Sequence, residues 1–170
     1  MTAMVTPLAY EFPLDAALKA LKFKRRLYYA PAFAELLCDA MPFLPQDIDA
    51  LLPVPLHWRR LAFRGFNQAL EISSEIRRRY RLPLATGVVR RCATRPQSGL
   101  SAAERRSNVR HAFSVRRRLT ARHILILDDV VTTGATTRQL GRILLRNGAE
   151  KVSVLAVAKA TQAGSTGLKV

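Results

Sequence analysis

Residues 124–136, Ile-Leu-Ile-Leu-Asp-Asp-Val-Val-Thr-Thr-Gly-Ala-Thr, constrain this chain more than any other stretch. Four apolar residues without a polar break suit a strand covered on both faces. A helical pattern follows, with Leu140, Ile143 and Leu144 inward and Arg138, Arg142 and Arg146 outward. Gly148 stands where a helix ends left-handed, and Val152 to Ala158 reads as a second buried strand. Strand, helix and strand joined this way form a right-handed crossover, so an open parallel α/β sheet is expected. The spacing predicts the first strand over Ile124–Leu127 and a loop from Asp128 to Ala135.

Asp128 and Asp129 therefore lie where a buried strand emerges, at the end of a parallel sheet where ligands bind in open α/β folds. A turn of small, hydroxyl-bearing residues before a helix aims backbone N–H groups at one spot on the positive end of the dipole. Thr132, Thr133 and Thr136 add hydroxyls, and Gly134 permits close backbone approach. The turn reads as a phosphate cradle, with the two acids placed to accept hydrogen bonds from the hydroxyls of a phosphorylated sugar. Capping alone would account for one threonine. It does not account for two adjacent, mutually repelling acids.

Upstream, Leu14, Leu18 and Leu21 with Ala17 repeat at helical spacing as far as the cluster Lys22 to Arg26, and Tyr29 to Met41 forms a second helical stretch. Ile48 to Leu56 reads as a short strand ended by Pro53 and Pro55, which cannot donate in a ladder. Asn67 caps a helix with Ala69, Ile72, Ile76 and Tyr80 on its buried face and Arg77, Arg78 and Arg79 at its negative end. Thr86 to Arg90 and His111 to Val115 are candidate strands. Residues 92–108, with Pro96, Gly99 and several serines, read as a mobile loop. The expected organisation is a helical N-terminal hood over 1–45, an α/β core over 46–160 and a frayed tail over 161–170.

Of 28 basic residues, 22 are arginine, and the net charge is +16. Residues 76–127 hold fourteen arginines against Glu104 alone. Two readings fit: a field that draws in polyanions, whose phosphate oxygens match the guanidinium fork, or a solvated surface from an arginine-rich proteome. With 49% apolar residues the chain can bury a core, and no run is long enough for a membrane span. The N-terminus lacks a basic start followed by an apolar block, which points to the cytoplasm. Cys38 and Cys92 suit buried or half-buried thiols, not a disulfide scaffold or a zinc site. His57, His111 and His123 lack metal-ligand spacing, and no protein-held metal site is expected.

The 124–136 segment resembles the ribose-phosphate-binding signature of type I phosphoribosyltransferases. Pro53-Val54-Pro55-Leu56, Arg64-Gly65-Phe66-Asn67-Gln68, the early Leu21-Lys22-Phe23 and the run Gln97, Leu100, Arg105, Asn108, Ala112, Phe113 resemble the ComF/GntX branch of that superfamily over roughly residues 8 to 160. The resemblance implies a protein that binds phosphoribosyl pyrophosphate (PRPP) with Mg²⁺. Asp128 and Asp129 would hold the ribose hydroxyls, and Val131, Thr132, Thr133, Gly134, Ala135 and Thr136 the 5′-phosphate. Pro55, Leu56, His57, Arg59, Arg60 and Arg64 would meet the pyrophosphate. Arg95 and Arg105, with Arg106, would act from the loop that closes over the site. Asp128, Asp129, Arg95 and Arg105 are thus the expected catalytic set of a phosphoribosyltransferase.

The chain departs from the pattern in two places. The four-cysteine zinc module common in the family is not found in it. Thr132 stands where purine-salvage relatives carry an acid, which argues against a 6-oxopurine acceptor. No aromatic residue is committed to stacking on a base; Tyr10 and Phe23 are candidates, with core packing expected for Phe23. A second reading stays open, a non-catalytic competence factor that holds single-stranded DNA on its basic surface, meets a partner of the uptake machinery or forms a homodimer.

Overall fold

In a computed structural model, the structure describes residues 1–91 and 112–160. Its centre is a parallel sheet in the order β1-β7-β6-β3, where β1 is Ala3–Val5, β3 Ala50–Pro53, β6 His123–Val131 and β7 Lys151–Lys159; β2 (Leu8–Ala9) also pairs with β7. Every pairing in this sheet is parallel, with Leu51 opposite Leu125 and Leu127 opposite Leu155.

The middles of the central strands, Ile124–Leu127 of β6 and Val154–Ala158 of β7, are apolar at every position because both faces are covered. Successive side chains point to opposite sides, and the two sides build separate cores. Leu51, Leu125, Leu127, Leu155 and Val157 pack with Leu18, Leu21, Phe33, Leu37, Ile72 and Ile76. These come from α1 (Leu14–Lys24), α2 (Tyr29–Ala40) and α4 (Gln68–Tyr80). Leu52, Ile124, Ile126, Val152 and Val154 pack on the other side with Leu140 and Leu144 of α5 (Ala135–Arg146). The expected crossover is therefore present as β6, α5 and β7. Gly148, at φ 110°, follows α5 in the left-handed region favoured by glycine.

Several elements differ from the sequence reading. Residues 3–9, read as part of a helical hood, join the main sheet beside β7; strands of three and two residues leave no pattern to detect. β6 runs on through Asp128 and Asp129 to Val131, because β7 keeps pairing with it as far as Lys159. A seven-residue helix, α3 (Trp58–Arg64), follows β3, where the sequence announced no helix. It buries none of its residues, so apolar periodicity could not announce it. Val88–Arg90 (β4) and Phe113–Val115 (β5) form an antiparallel pair outside the main sheet. Tyr80, assigned to a buried face, is part-exposed and donates its hydroxyl to the Cys38 carbonyl at 2.9 Å. Cys38 is buried as read. Residues 92–111, which include Cys92, Arg95, Arg105, Arg106 and His111, and 161–170 lie outside the described residues.

His123 has the structural role read for it. Its ring is 2% exposed, with Nδ1 2.7 Å from Asp47 Oδ1 and Nε2 2.9 Å from Ser153 Oγ, tying the start of β6 to β7. Asp47 also meets Lys151, and hydrogen bonds from Lys151 and His123 hold its carboxyl down to about 2.

Leu125 is fully buried on the central strand. Leu125→Ala is expected to cost about 2–5 kcal/mol, read as a lowered urea midpoint with an unchanged slope.

Candidate functional site

β3 pairs with β6 only as far as Pro53 opposite Leu127, with one further bond from the Val54 amide to the Leu127 carbonyl. Prolines cannot continue a ladder, so the chain turns away and β6 runs on past its neighbour. Asp128 and Asp129 are the next residues of β6, and they open into a cavity of about 980 Å³.

The cavity wall carries seven basic residues, Lys19, Lys22, Arg25, Arg59, Arg60, Arg64 and Arg90, against two acids, Asp128 and Asp129. Asp129 is 4% exposed and forms an ion pair with Lys22 of α1, which bridges hood and sheet across the cavity floor. Its Oδ1 accepts from the Val130 amide at 2.9 Å. Asp128 is half-buried, and its Oδ1 accepts from the Asp129 amide at 2.9 Å. Burial, then the neighbouring charge of Asp129, raises the Asp128 carboxyl well above the usual carboxylate range.

Beyond β6 the chain bends through Thr132 and Thr133 to Gly134, whose φ of 69° lies in the left-handed region. Glycine is favoured there by conformation; a Cβ would approach the Arg138 guanidinium to 2.9 Å, a contact that flexible side chain could move to relieve. Thr137 closes the turn by donating to the Gly134 carbonyl at 3.1 Å. The N-terminus of α5 then opens on the cavity, where Val131, Thr132, Gly134, Ala135 and Thr136 join the wall. Thr133 does not line it; its hydroxyl accepts from the Ala135 amide at 3.4 Å and its carbonyl accepts from Arg138.

The opposite wall comes from the β3–α3 connection. Leu56, Arg59, Arg60 and Arg64 line the cavity; Pro55 and His57 do not. His57 is buried and caps α3, its Nδ1 accepting from the Arg59 amide at 3.2 Å. That cap sets the helix that carries the arginines. Burial lowers both Arg60 and Arg64 from their ordinary values.

Sequence reasoning missed two residues of this wall. Arg90 ends β4, is 9% exposed, and lies with its guanidinium carbon 5.3 Å from the Phe113 ring centre. Burial, then the charge of Arg60, pushes it down to about 10. Lys22 was read as part of a basic helix end and of the family-like Leu21-Lys22-Phe23 segment, without a role at the site. A signal existed for both: Arg90 closes an apolar strand, and Lys22 follows Leu21 on a helix whose inward face is regular. Phe23 corrects an expectation, being 71% exposed at the cavity instead of packed in the core.

An open parallel sheet, an acid pair at the end of its central strand, a glycine turn into a helix and an N-terminal helical cover define an open α/β fold with its cavity at the end of the sheet. The fold resembles a solved allosteric regulatory enzyme of purine biosynthesis, at 20% identity over 75% of this chain and 26% of that one with a TM-score of 0.45. It also resembles a purine phosphoribosyltransferase from Pyrococcus horikoshii Ot3, at 12% identity over 100% and 99% of the two chains with a TM-score of 0.41. In sequence, the chain is 36% identical over 157 residues to DNA utilization protein YhgH of Escherichia coli O157:H7, covering 89% of this chain and 69% of that protein. It is 32% identical over 160 residues to competence protein F of Haemophilus influenzae, covering 89% and 70%. The chain belongs to the family of these competence and DNA utilization proteins. No family model matches it. No helix among the described residues is long and apolar enough to cross a membrane.

The raised Asp128 carboxyl has a consequence for stability. The folded state binds the Asp128 proton more tightly than the unfolded chain does. Its contribution therefore favours folding at low pH and fades as pH rises from the unfolded carboxylate value through the folded one. Asp128→Asn removes that dependence. It is expected to raise the neutral-pH melting temperature by about 2–4 °C for each kcal/mol of repulsion and desolvation relieved. Melting curves across pH 4–8 for both proteins check this.

Proposed function

We propose that this protein binds PRPP with a divalent cation and transfers the phosphoribosyl group to a nitrogenous acceptor, releasing pyrophosphate. One observation carries the reading: two carboxylates share a predominantly cationic cavity with a glycine turn at a helix N-terminus. Cations and helix amides answer phosphate. The acids repel it, and they make chemical sense beside the vicinal hydroxyls of a ribose.

On this reading Asp128 and Asp129 accept hydrogen bonds from the ribose hydroxyls, and the Thr132–Thr136 turn holds the 5′-phosphate through backbone amides and hydroxyls. Arg59, Arg60 and Arg90 face the pyrophosphate. In the transfer, the bond from the anomeric carbon to the pyrophosphate oxygen breaks and pyrophosphate leaves with the electron pair. The acceptor nitrogen forms the new bond with its lone pair, and its proton passes to solvent. The carboxylate oxygens of Asp128 and Asp129 are hard donors that would suit a divalent cation brought in with the diphosphate. Such an ion, when bound, offsets the charge of the leaving group. The protein's part is positioning and electrostatic preorganisation.

Millimolar PRPP with Mg²⁺ should raise the melting temperature by about 5–10 °C if the concentration is roughly a hundredfold above Kd. Asp128→Asn, stable by the argument above, should lose that response. An unchanged wild-type melting temperature would remove the reading. Pyrophosphate release across a panel of nitrogenous acceptors then tests transfer itself.

A second reading, a single-strand DNA factor, is favoured by the names of the relatives and by an exposed aromatic–arginine pair: Arg59 lies 5.3 Å from the ring centre of Trp58, which is 64% exposed. Arg77–Arg79 and Arg116–Arg118 are also exposed. Generic electrostatic binding would lose about 10³–10⁵ in affinity from 50 to 200 mM salt. Tight binding retained at physiological salt, and lost on mutating either arginine triplet, would favour this role.

A further inference from the structure

The cavity has a second chemical region that the donor reading leaves unassigned. At about 980 Å³ it stands at the top of the range of about 300–1,000 Å³ usual for small-ligand sites. Its floor holds the acids and the α5 turn. Its mouth, between α1 and α3, is lined by Phe23 and Arg25 from one side and Phe63 and Arg64 from the other, with Tyr10 and Lys19 beside them.

Phe23 is 71% and Phe63 88% exposed, an unusual placement for two phenyl rings at one opening. Each has a guanidinium next to it. The Arg64 guanidinium carbon is 5.5 Å from the Phe23 ring centre. Arg25, held left-handed at φ 52° just past the end of α1, donates from Nη2 to the Phe63 carbonyl at 3.4 Å. Arg25 thus reaches from α1 to α3, joining the two sides of the mouth. Lys19 is already paired with Asp15 at 2.7 Å. Arg64 donates from Nη1 to Gln68 Oε1 at 2.5 Å and lies within reach of the Asp129 charge, but among the described residues neither Arg25 nor Arg64 forms an ion pair with a carboxylate.

Two exposed rings offer stacking faces to a flat ligand, and two guanidinium groups beside them offer paired donors to an anion. An uncharged base would stack but leave the guanidinium groups unanswered. An aliphatic acid would meet the charge but forgo the rings. From this juxtaposition we infer that the mouth is an acceptor subsite for a small planar aromatic ring that carries a negative charge, such as a heteroaromatic carboxylate. The inference rests on the reading of the floor as the donor site, and it names the class of the second substrate.

Calorimetric titration with matched probes tests it. Pyridine-3-carboxylate and benzoate are compared with pyridine-3-carboxamide and benzamide, which keep the ring and lose the charge, and with cyclohexanecarboxylate, which keeps the charge and loses the flat ring. The two aromatic acids should bind about tenfold more tightly than any of the three controls. Arg25→Gln, at an exposed position, should bring the acid-to-amide ratio close to one without changing the melting temperature of the free protein. Phe23→Ala should weaken benzoate and benzamide alike. Equal affinity for acid and amide, equal affinity for benzoate and cyclohexanecarboxylate, or an acid preference that survives Arg25→Gln would each overturn the assignment. So would tighter binding of a dT tetramer than of any free acid, if Phe23→Ala and Arg25→Gln abolished it, because the mouth would then belong to nucleic acid. The PRPP-induced melting shift is read separately on the same variants. Its loss in wild type sinks the donor reading, whereas its persistence with no acid preference sinks the acceptor assignment alone.

Discussion

The ion pair between Lys22 and Asp129 governs the architecture of the site. A carboxylate 4% exposed at the end of a buried strand is costly unless a cation and hydrogen bonds answer it. Lys22 supplies the cation from α1, and the Val130 amide supplies a hydrogen bond at 2.9 Å. The need to satisfy one acid thereby fixes where the N-terminal helices sit relative to the sheet, and the space left beneath them is the cavity. Asp128, one residue earlier, has no such cation as its main neighbour. Its charge is opposed by burial and by Asp129, so it is held toward its protonated form, while Asp129 has Lys22 as its ion-pair partner.

Around that pair, the secondary structure serves electrostatics more than packing. α3 buries none of its residues. Its place depends on the His57 cap and on Gly65, at φ 83°, which ends it left-handed. What α3 contributes is a row of guanidinium groups facing the acids across the cavity. Arg90 arrives from the separate β4–β5 pair, so three independent segments deliver cations to one volume. Burial lowers Arg60, Arg64 and Arg90 alike, and the charge of Arg60 adds to it at Arg64 and Arg90.

The parts legible in sequence were those where one physical requirement leaves a long trace. A strand covered on both faces must be continuously apolar, and an amphipathic helix over it must repeat, so β6, α5 and β7 could be read with their inward residues. Asn67 was readable as a cap because its side chain has a local job, accepting from the Ala69 amide at 3.1 Å. The illegible parts depend on distant partners. β1 and β2 are strands only because β7 offers an edge, and the extension of β6 through its acids depends on the same neighbour. α3 carries no buried face to leave a pattern. Phe23 was misread because aromatic residues usually go inside, and only the gap between α1 and α3 determines that this one does not. Of the site, the acid pair and the glycine turn could be found from local chemistry, whereas the α3 arginines were placed only by the family resemblance. Lys22 and Arg90 left only a faint local signal, because nothing in their own segments refers to β6.

Charge alone does not explain why a chain at +16 should place two carboxylates in its most cationic cavity. A surface meant only to attract polyanions would be weakened by them, since each acid cancels nearby cations and repels phosphate. Their presence is intelligible as discrimination. Inorganic diphosphate or a bare nucleic-acid backbone meets the acids with nothing to offer them, and pays repulsion and desolvation. A ligand that places vicinal hydroxyls there, with phosphate groups held far enough apart to reach the α5 turn on one side and the α3 arginines on the other, satisfies every group at once. On the proposed reading the acids would reject simpler anions as much as they would bind a sugar. The same logic makes the exposed rings at the mouth informative, because neither floor nor wall has any use for them.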